Sequence, residues 1–279
     1  MSSIGVLIPT FQAAKHLPHC LPPLLSSPLK PRILLIDSSS SDDTVSIARA
    51  MGVEVIVIPK KEFNHGATRE RGRRYLGTSV IVMMTQDAYA SSFEMLSFLV
   101  KPLLEGKTSI SYARQLPHEN ADVFASFSRF YNYPSESHVR SIKEMPTYGV
   151  YTFFCSNSCA AYLNHALDEV GGFPETMFGE DTIVAAKLIQ AGHHIAYVSD
   201  AIVCHSHNYS LKEEFLRHKV MGQERRAFKD LFVIAGSENR RGSLYAKELL
   251  KFLWKRAPLK IPYAILHLLA KWLGYHWKF

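Results

Sequence analysis

Three polar clusters interrupt the sequence where chemistry is conceivable: Thr85-Gln86-Asp87-Ala88, Gly179-Glu180-Asp181 and His205-Ser206-His207. Asp87 ends the apolar run Val80-Ile81-Val82-Met83-Met84. A buried strand has no use for a carboxylate at its tip, so this one is expected to meet a ligand or an ion. Glu180-Asp181 opens a helical segment; an acid there complements the helix N-terminus and, held ionised, can take a proton from an attacking hydroxyl. His205 and His207 follow a short apolar strand. A lone histidine there is usually polar surface, but two flanking a serine make one of them a candidate nitrogen ligand. A carboxylate, a base and a neutral nitrogen suit sugar transfer from a nucleotide diphosphate. Mg²⁺ or Mn²⁺ would neutralise the leaving group while keeping phosphate oxygens as ligands.

Asp37 ends a second apolar run and is followed by four serines and Asp42. It reads either as an Asx-turn or as an acceptor for the imide N–H of uracil or thymine; Asp42 or Asp43 can cap the following helix in both cases. In Asn64-His65-Gly66-Ala67-Thr68-Arg69 and onward, His65, Arg69 and Arg73 recur every four residues on one helix face. Arg71 and Arg74 read as solvated surface. His65, Gly66 and Arg69 read as an anion site of backbone N–H groups and an arginine fork, as a diphosphate needs. Asn157, just after Tyr151-Thr152-Phe153-Phe154, is a weaker candidate for orienting acceptor or donor sugar.

The elements that must position these groups alternate. Apolar runs at 4–8, 33–36, 53–58 and 80–84 read as strands, separated by helical spacing such as Val45, Ala48 and Met51. Near-continuous apolar strands between helices mean a parallel sheet covered on both faces, whose strand-following loops share one edge. Thr10-Phe11, Asp37-Ser38-Ser39 and Gln86-Asp87 all fall there. Residues 105–150 read as a long, partly irregular connection, with regular structure resuming at Tyr151–Phe154. A helix is expected over Asp181–Ala191, stopping at Gly192, then two short strands near Ile195–Val198 and Ala201–Cys204.

The 279 residues allow one large or two small domains. The net charge of +7 is local: 244–279 holds seven lysines and arginines against Glu248 alone, so a nucleic-acid partner is not implied. Four cysteines without a Cys-x-x-Cys pair read as buried free thiols of a reducing compartment rather than a zinc site. With neither a signal peptide nor an apolar run long enough to span a membrane, the chain is expected in the cytoplasm, with possible attachment to the inner membrane's cytoplasmic face.

Taken in order, these residues resemble the family 2 inverting glycosyltransferases with a GT-A fold. Ile8-Pro9-Thr10-Phe11-Gln12 looks like that family's opening Pro-Thr-Tyr-Asn segment, and Ile36-Asp37 with its serines like the nucleoside-binding aspartate. Phe63–Arg69, Thr85-Gln86-Asp87-Ala88, Phe154–Asn157, Gly179-Glu180-Asp181 and 205–210 look like bacterial rhamnosyltransferases that build surface polysaccharide from dTDP-rhamnose. The resemblance runs from about residue 4 to 225. It implies an α/β fold of GT-A type, a Rossmann-like, mostly parallel sheet flanked by helices. The catalytic domain would span 1–235 and a basic, aromatic helical extension 236–279. A donor of dTDP or UDP type would meet Pro9, Thr10, Phe11, Asp37, Ser39, His65, Arg69, Gln86 and Asp87. Asn157 and Glu180 would face a glycan or lipid-linked acceptor, Asp181 would be the base, and Asp87, His205 and His207 supply the metal candidates. Gln86 replaces the acid usual in the wider family.

Two other classes compete. Nucleotidyl transfer would call for a glycine-rich turn after the first strand, and Pro9–Ala14 has no glycine. A non-catalytic sugar-nucleotide or membrane scaffold should have lost Asp87 or Asp181. In the tail, apolar positions 261, 265, 268 and 272 have helical spacing among lysines, with Trp272, Tyr275 and Trp277 suited to a water–lipid boundary. Residues 244–279 are therefore expected on an anionic membrane surface; packing on the catalytic domain or contact between copies is the alternative.

Overall fold

The computed structural model describes residues 3–236 and 239–277; Lys278, counted with the basic tail, lies outside them. The four apolar runs become strands β1 (Ile4–Thr10), β2 (Arg32–Asp37), β3 (Glu54–Val57) and β4 (Val80–Met84). Helices α1 (Leu17–Leu25), α2 (Thr44–Ala50) and α3 (His65–Leu76) connect them. The strands pair in parallel in the order β3-β2-β1-β4. Alternate residues feed opposite faces: Val6, Ile8, Leu35 and Val82 enter one core, while Leu7, Leu34, Ile36 and Met83 enter the other. A strand buried on both faces must be apolar throughout, which is why β1, β2 and β4 were legible; β3, at the end of the sheet, is half-buried and carries Glu54.

Beyond β5 (Tyr89–Ala90) and α4 (Met95–Leu104) the sheet becomes mixed. The stretch read as irregular holds β6 (Ile110–Leu116), α5 (Val123–Asn132), β7 (His138–Arg140) and α6 (Met145–Tyr148). Its periodicity was masked because β6 buries Ser111 and Gln115 among apolar neighbours, with their polar groups satisfied inside the protein. Regular structure resumes at Gly149–Phe153 as a 3₁₀-helix, and the next strand is β8 (Cys159–Leu163), antiparallel to both β4 and β6. After α7 (Asn164–Glu169) and α8 (Glu180–Gln190), one strand, β9 (Ile195–Cys204), replaces the two expected. The apparent break is a register shift where β9 crosses from Ala113 to Arg114 of β6. The sheet order is β3-β2-β1-β4-β8-β6-β9-β5, with β7 also on β9.

The chain ends in α9 (Leu211–Ala227), α10 (Lys229–Phe232), α11 (Asn239–Arg256) and α12 (Ile261–His276). Leu249 and Leu253 of α11 and Ala264 of α12 pack with Phe124 and Phe127 of α5. Burying each of these leucines and phenylalanines contributes about 1.5–3 kcal/mol, so one face of the tail is fixed to the sheet-bearing part. At the crossing of α9 and α12 two glycines let the backbones touch. A Cβ on Gly274 would stand 2.3 Å from the Phe215 carbonyl oxygen, and one on Gly222 2.1 Å from that of Tyr275.

Gly274→Ala therefore sets two effects against each other. Alanine favours a helix by about 1 kcal/mol, but overpacking against backbone costs about 1–3 kcal/mol or more. Sterics should win: the midpoint of thermal unfolding should fall, where an exposed helical Gly→Ala change would raise it.

Candidate active site

The loops after β1, β2 and β4 share one sheet edge and open on a cleft of about 1590 Å³. Pro9, Thr10, Phe11, His65, Arg69, Gln86, Asp87, Asn157, Glu180, Asp181, His205 and His207 all line it. Asp37 and Ser39 do not. Asp37 is wholly buried, and its carboxylate accepts from the Thr10 hydroxyl at 3.0 Å and from the Ser40 amide and hydroxyl at 2.8 and 2.6 Å. Ser39 is exposed and donates to the Ile58 carbonyl. Asp37 therefore braces its own turn, by a bond from the amide three residues on rather than the two of an Asx-turn, and Thr10 and Ser38 line the cleft beside it.

Gln86 explains its own identity. Its side-chain oxygen accepts from the Phe11 amide at 2.8 Å and its nitrogen donates to the Phe11 carbonyl at 3.1 Å. A carboxylate accepts but cannot donate, so an acid at 86 could close only half of this clamp. The clamp ties the end of β1 to the end of β4 and holds the Phe11 ring at the cleft. The Lys60 ammonium lies 4.2 Å from that ring's centroid; this cation–π contact leaves a positive charge beside the aromatic face.

The entry to α3 is not an open anion site. Asn64 caps the helix by accepting from Ala67 and also from Thr176, and the Gly66 N–H bonds to the Thr176 carbonyl. A Cβ on Gly66 would overlap the Pro174 carbonyl oxygen, at 1.7 Å, so this glycine lets the 174–176 loop close on the helix. Arg73 is likewise internal, bonded to Glu70, Asn164 and Asp168. Arg69 does face the cleft, yet it pairs with Glu180 at 3.2 Å and contacts His65 at 3.1 Å. Its Nε has no partner among the described residues.

Glu180 and Asp181 are adjacent, but their surroundings drive them apart. Burial works to raise the Glu180 pKa, while Arg69, the Asn157 amide and His65 outweigh it and hold it below the usual carboxylate range. Asp181 accepts from the Asn157 and Thr182 amides at 3.0 and 2.7 Å. Burial, and then the negative Glu180 beside it, nevertheless push it up to about 6. One carboxylate is thus locked as an anion and its neighbour poised near neutrality, the division expected of an orienting group and a base. Asn157 joins them, and its own carbonyl accepts from Tyr162 at 2.8 Å.

Across the cleft, His205 Nε2 and His207 Nε2 lie 3.6 and 3.5 Å from the two Asp87 carboxylate oxygens. Ligand atoms of all three residues fall within 4.8 Å of one another. Burial, before any neighbour, lowers the pKa of both histidines, that of His205 to about 3, so the imidazoles are neutral. Gln115 fixes which nitrogen of His205 is free: its Oε1 is 2.9 Å from Nδ1, while its Nε2 donates to Ser156 and Arg129 donates to the same Oε1. Nδ1 must then carry the proton, which turns the Nε2 lone pair toward Asp87. Lone pairs facing a carboxylate repel unless a cation lies between them, so this donor set fits a divalent metal.

A family model described as glycosyl transferase family 2 matches residues 5–171. The chain belongs to that family. It is 37% identical, over 99% of its length and 90% of the relative's, to the O-antigen chain rhamnosyltransferase RfbN of Salmonella typhimurium. To the O-antigen chain rhamnosyltransferase WbaN of Salmonella anatum it is 35% identical, over 100% and 91% of the two chains. Among solved structures it resembles the mannosyltransferase PcManGT of Pyrobaculum calidifontis, solved with GDP-Man and Mn²⁺, at a TM-score of 0.70 and 15% identity, covering 99% and 87% of the chains. TarS of S. aureus in complex with UDP-GlcNAc follows at a TM-score of 0.57 and 13% identity, over 98% and 89%. The fold is of GT-A type, and the protein is a glycosyltransferase of polysaccharide synthesis.

Sequence reading missed several walls of this glycosyltransferase's cleft. Gln115, Arg129, Arg217 and, from the tail, Arg241, Lys271 and Trp272 line it or hold its liners. Only Arg114-Gln115 carried a signal, as a polar pair at the end of a strand directed to the same edge. Gln115→Ala should free the His205 ring and weaken Mn²⁺ binding about 10–100-fold by calorimetry, with the fold intact by circular dichroism. Because only ionised Asp181 accepts a proton, turnover should rise with pH through about 6 and then level off; a flat profile from pH 5 to 8 would contradict its role.

Proposed function

We propose that the protein is an inverting rhamnosyltransferase that takes rhamnose from dTDP-rhamnose to a glycan hydroxyl. The observation that carries this reading is the pairing, in one cleft, of a carboxylate raised to about 6 with an Asp-His-His cluster. The Salmonella rhamnosyltransferases, similar over nearly the whole chain, support the donor.

Asp181 accepts the proton of the acceptor hydroxyl as that oxygen bonds to the anomeric carbon. The carbon–oxygen bond to the diphosphate breaks on the opposite face, so the configuration inverts and dTDP leaves with the electron pair. Glu180 stays ionised and holds Arg69 and Asn157 in place. Asp87, His205 and His207 would hold Mg²⁺ or Mn²⁺, which supplies charge neutralisation for the departing diphosphate. Phe11 offers a ring face and Lys60 a charge on the nucleotide side. Asp37 and Ser39 would act on the donor through the turn that places Thr10 and Ser38.

Thermal stabilisation by dTDP, UDP and GDP with Mn²⁺, followed by turnover of the matching sugar nucleotides, tests the donor. The largest shift should come with dTDP and turnover only with dTDP-rhamnose; preference for GDP-mannose would overturn the reading. Asp181→Asn should lower turnover about 10²–10⁴-fold with dTDP binding nearly unchanged. Asp87→Ala should weaken dTDP binding in the presence of Mn²⁺ far more than in its absence, with His205→Ala milder. Two imidazole nitrogens favour Mn²⁺ over the strictly oxygen-seeking Mg²⁺, so half-saturation should need less Mn²⁺.

A further inference from the structure

Helix α12 is built inside out. The stripe it turns inward centres on Ala264, His267, Lys271 and Gly274, which are small or polar, with Ile261 and Leu268 half-buried at its edge against the core shared with α5. Its outward stripe is apolar: Ile265, Leu266, Leu269, Trp272 and Leu273 are all exposed, Trp272 to 58% and Ile265 to 56%. Positions 262, 265, 266, 269, 272, 273 and 276 fall on one continuous arc at 3.6 residues per turn. A helix that met only water would reverse this arrangement. The turn before α12 adds Leu259, 94% exposed, and the end of α11 adds Trp254, 74% exposed.

The inward stripe cannot rotate outward. Gly274 and Gly222 hold α12 against α9 at backbone contact, and Lys271 and His267 reach the buried Glu214 at 3.4 Å each. The apolar arc is therefore a permanent surface. Its charge setting selects what covers it. From residue 249 to the end of the sequence there is no Asp or Glu. Lys255, Arg256 and Lys260, at the turn, have no acidic partner among the described residues. A second copy of the chain laid on this face would bring like charges together, whereas anionic lipid headgroups would neutralise them. With 16 residues, α12 is about 24 Å long, and no described helix is long and apolar enough to cross a membrane.

We infer that α12 and the preceding turn dock the protein flat on an anionic bilayer, the apolar arc in the interface and the basic turn on the headgroups. Trp272 belongs both to this arc and to the lining of the catalytic cleft, so the docked surface adjoins the cleft mouth. That an acceptor carried on a lipid would be handed over there rests on the glycosyl-transfer reading; the docking does not.

Full-length protein is floated with vesicles of phosphatidylcholine alone and of phosphatidylcholine with phosphatidylglycerol in equal parts. Binding should require phosphatidylglycerol and weaken as salt is raised. The Leu266→Glu/Leu269→Glu variant changes exposed positions outside the cleft, so its unfolding midpoint should stay put while vesicle binding falls at least about tenfold. Lys255→Glu/Lys260→Glu should lose at least as much on anionic vesicles, with an unchanged midpoint. Absence of binding, or binding that both variants retain, would overturn the proposal. So would a dimer in sedimentation that the leucine variant turns into monomer, since a second copy would then cover the arc. Flotation needs no turnover, so its outcome is separate from that of the transferase assays.

Discussion

The buried pair of Arg69 with Glu180 is the interaction on which the site depends. Taking both charges out of water is expensive, and the 3.2 Å contact recovers that cost only because Asn157 and His65 complete the surroundings. Its value lies in what it imposes. It crosses from α3 to the start of α8 and draws in the segment before β8, so three distant stretches of chain meet at one point. It also keeps Glu180 negative, and a fixed negative charge next door is part of what raises Asp181 toward neutrality. Burial is the larger cause of that rise, and Glu180 adds to it against the Arg69 charge, which pulls the other way.

The opposite wall of the cleft follows the same logic with nitrogen in place of oxygen. Asp87 and His205 come from the ends of β4 and β9, strands separated in the sheet by β8 and β6. Gln115, at the end of β6, bridges that gap by holding His205 in one tautomer. Gln86 does comparable work on backbone, tying the β1 and β4 exits together. In both cases a neutral amide is used because it donates and accepts at once, which no carboxylate can do.

The tail has two faces with two jobs. Inward, it lends the cleft Arg241 and Lys271, and it shares a small apolar core with α5. Outward, it leaves its most apolar stripe uncovered. The packing alternative raised by the sequence and the membrane alternative are therefore compatible, because each concerns a different side of α12.

Strands β1, β2 and β4 were legible in the sequence because a strand buried on both faces has little freedom of composition; half-buried β3, at the end of the sheet, was legible from its β-branched run. The acids and histidines at strand ends were legible because charged groups there have few structural uses. Asp87 and His205 could accordingly be singled out as candidates from residue type and position, and Asp181 from its place at the start of a helix. The second half of the sheet was not legible, since Gln115 and Ser111 are polar residues made internal by partners far along the chain. Which residues line the cleft and which lie behind it was also a tertiary matter. Asp37 looks like a ligand in sequence yet spends its carboxylate on Thr10 and Ser40, and of the N–H groups ahead of Arg69 that of Gly66 is taken by a loop more than a hundred residues away and that of Ala67 by the Asn64 cap. The sequence determined which groups are available, because chemistry belongs to the side chain. The tertiary structure decided which remain free to use it, because a hydrogen-bonding group already satisfied by the fold has little left for a ligand.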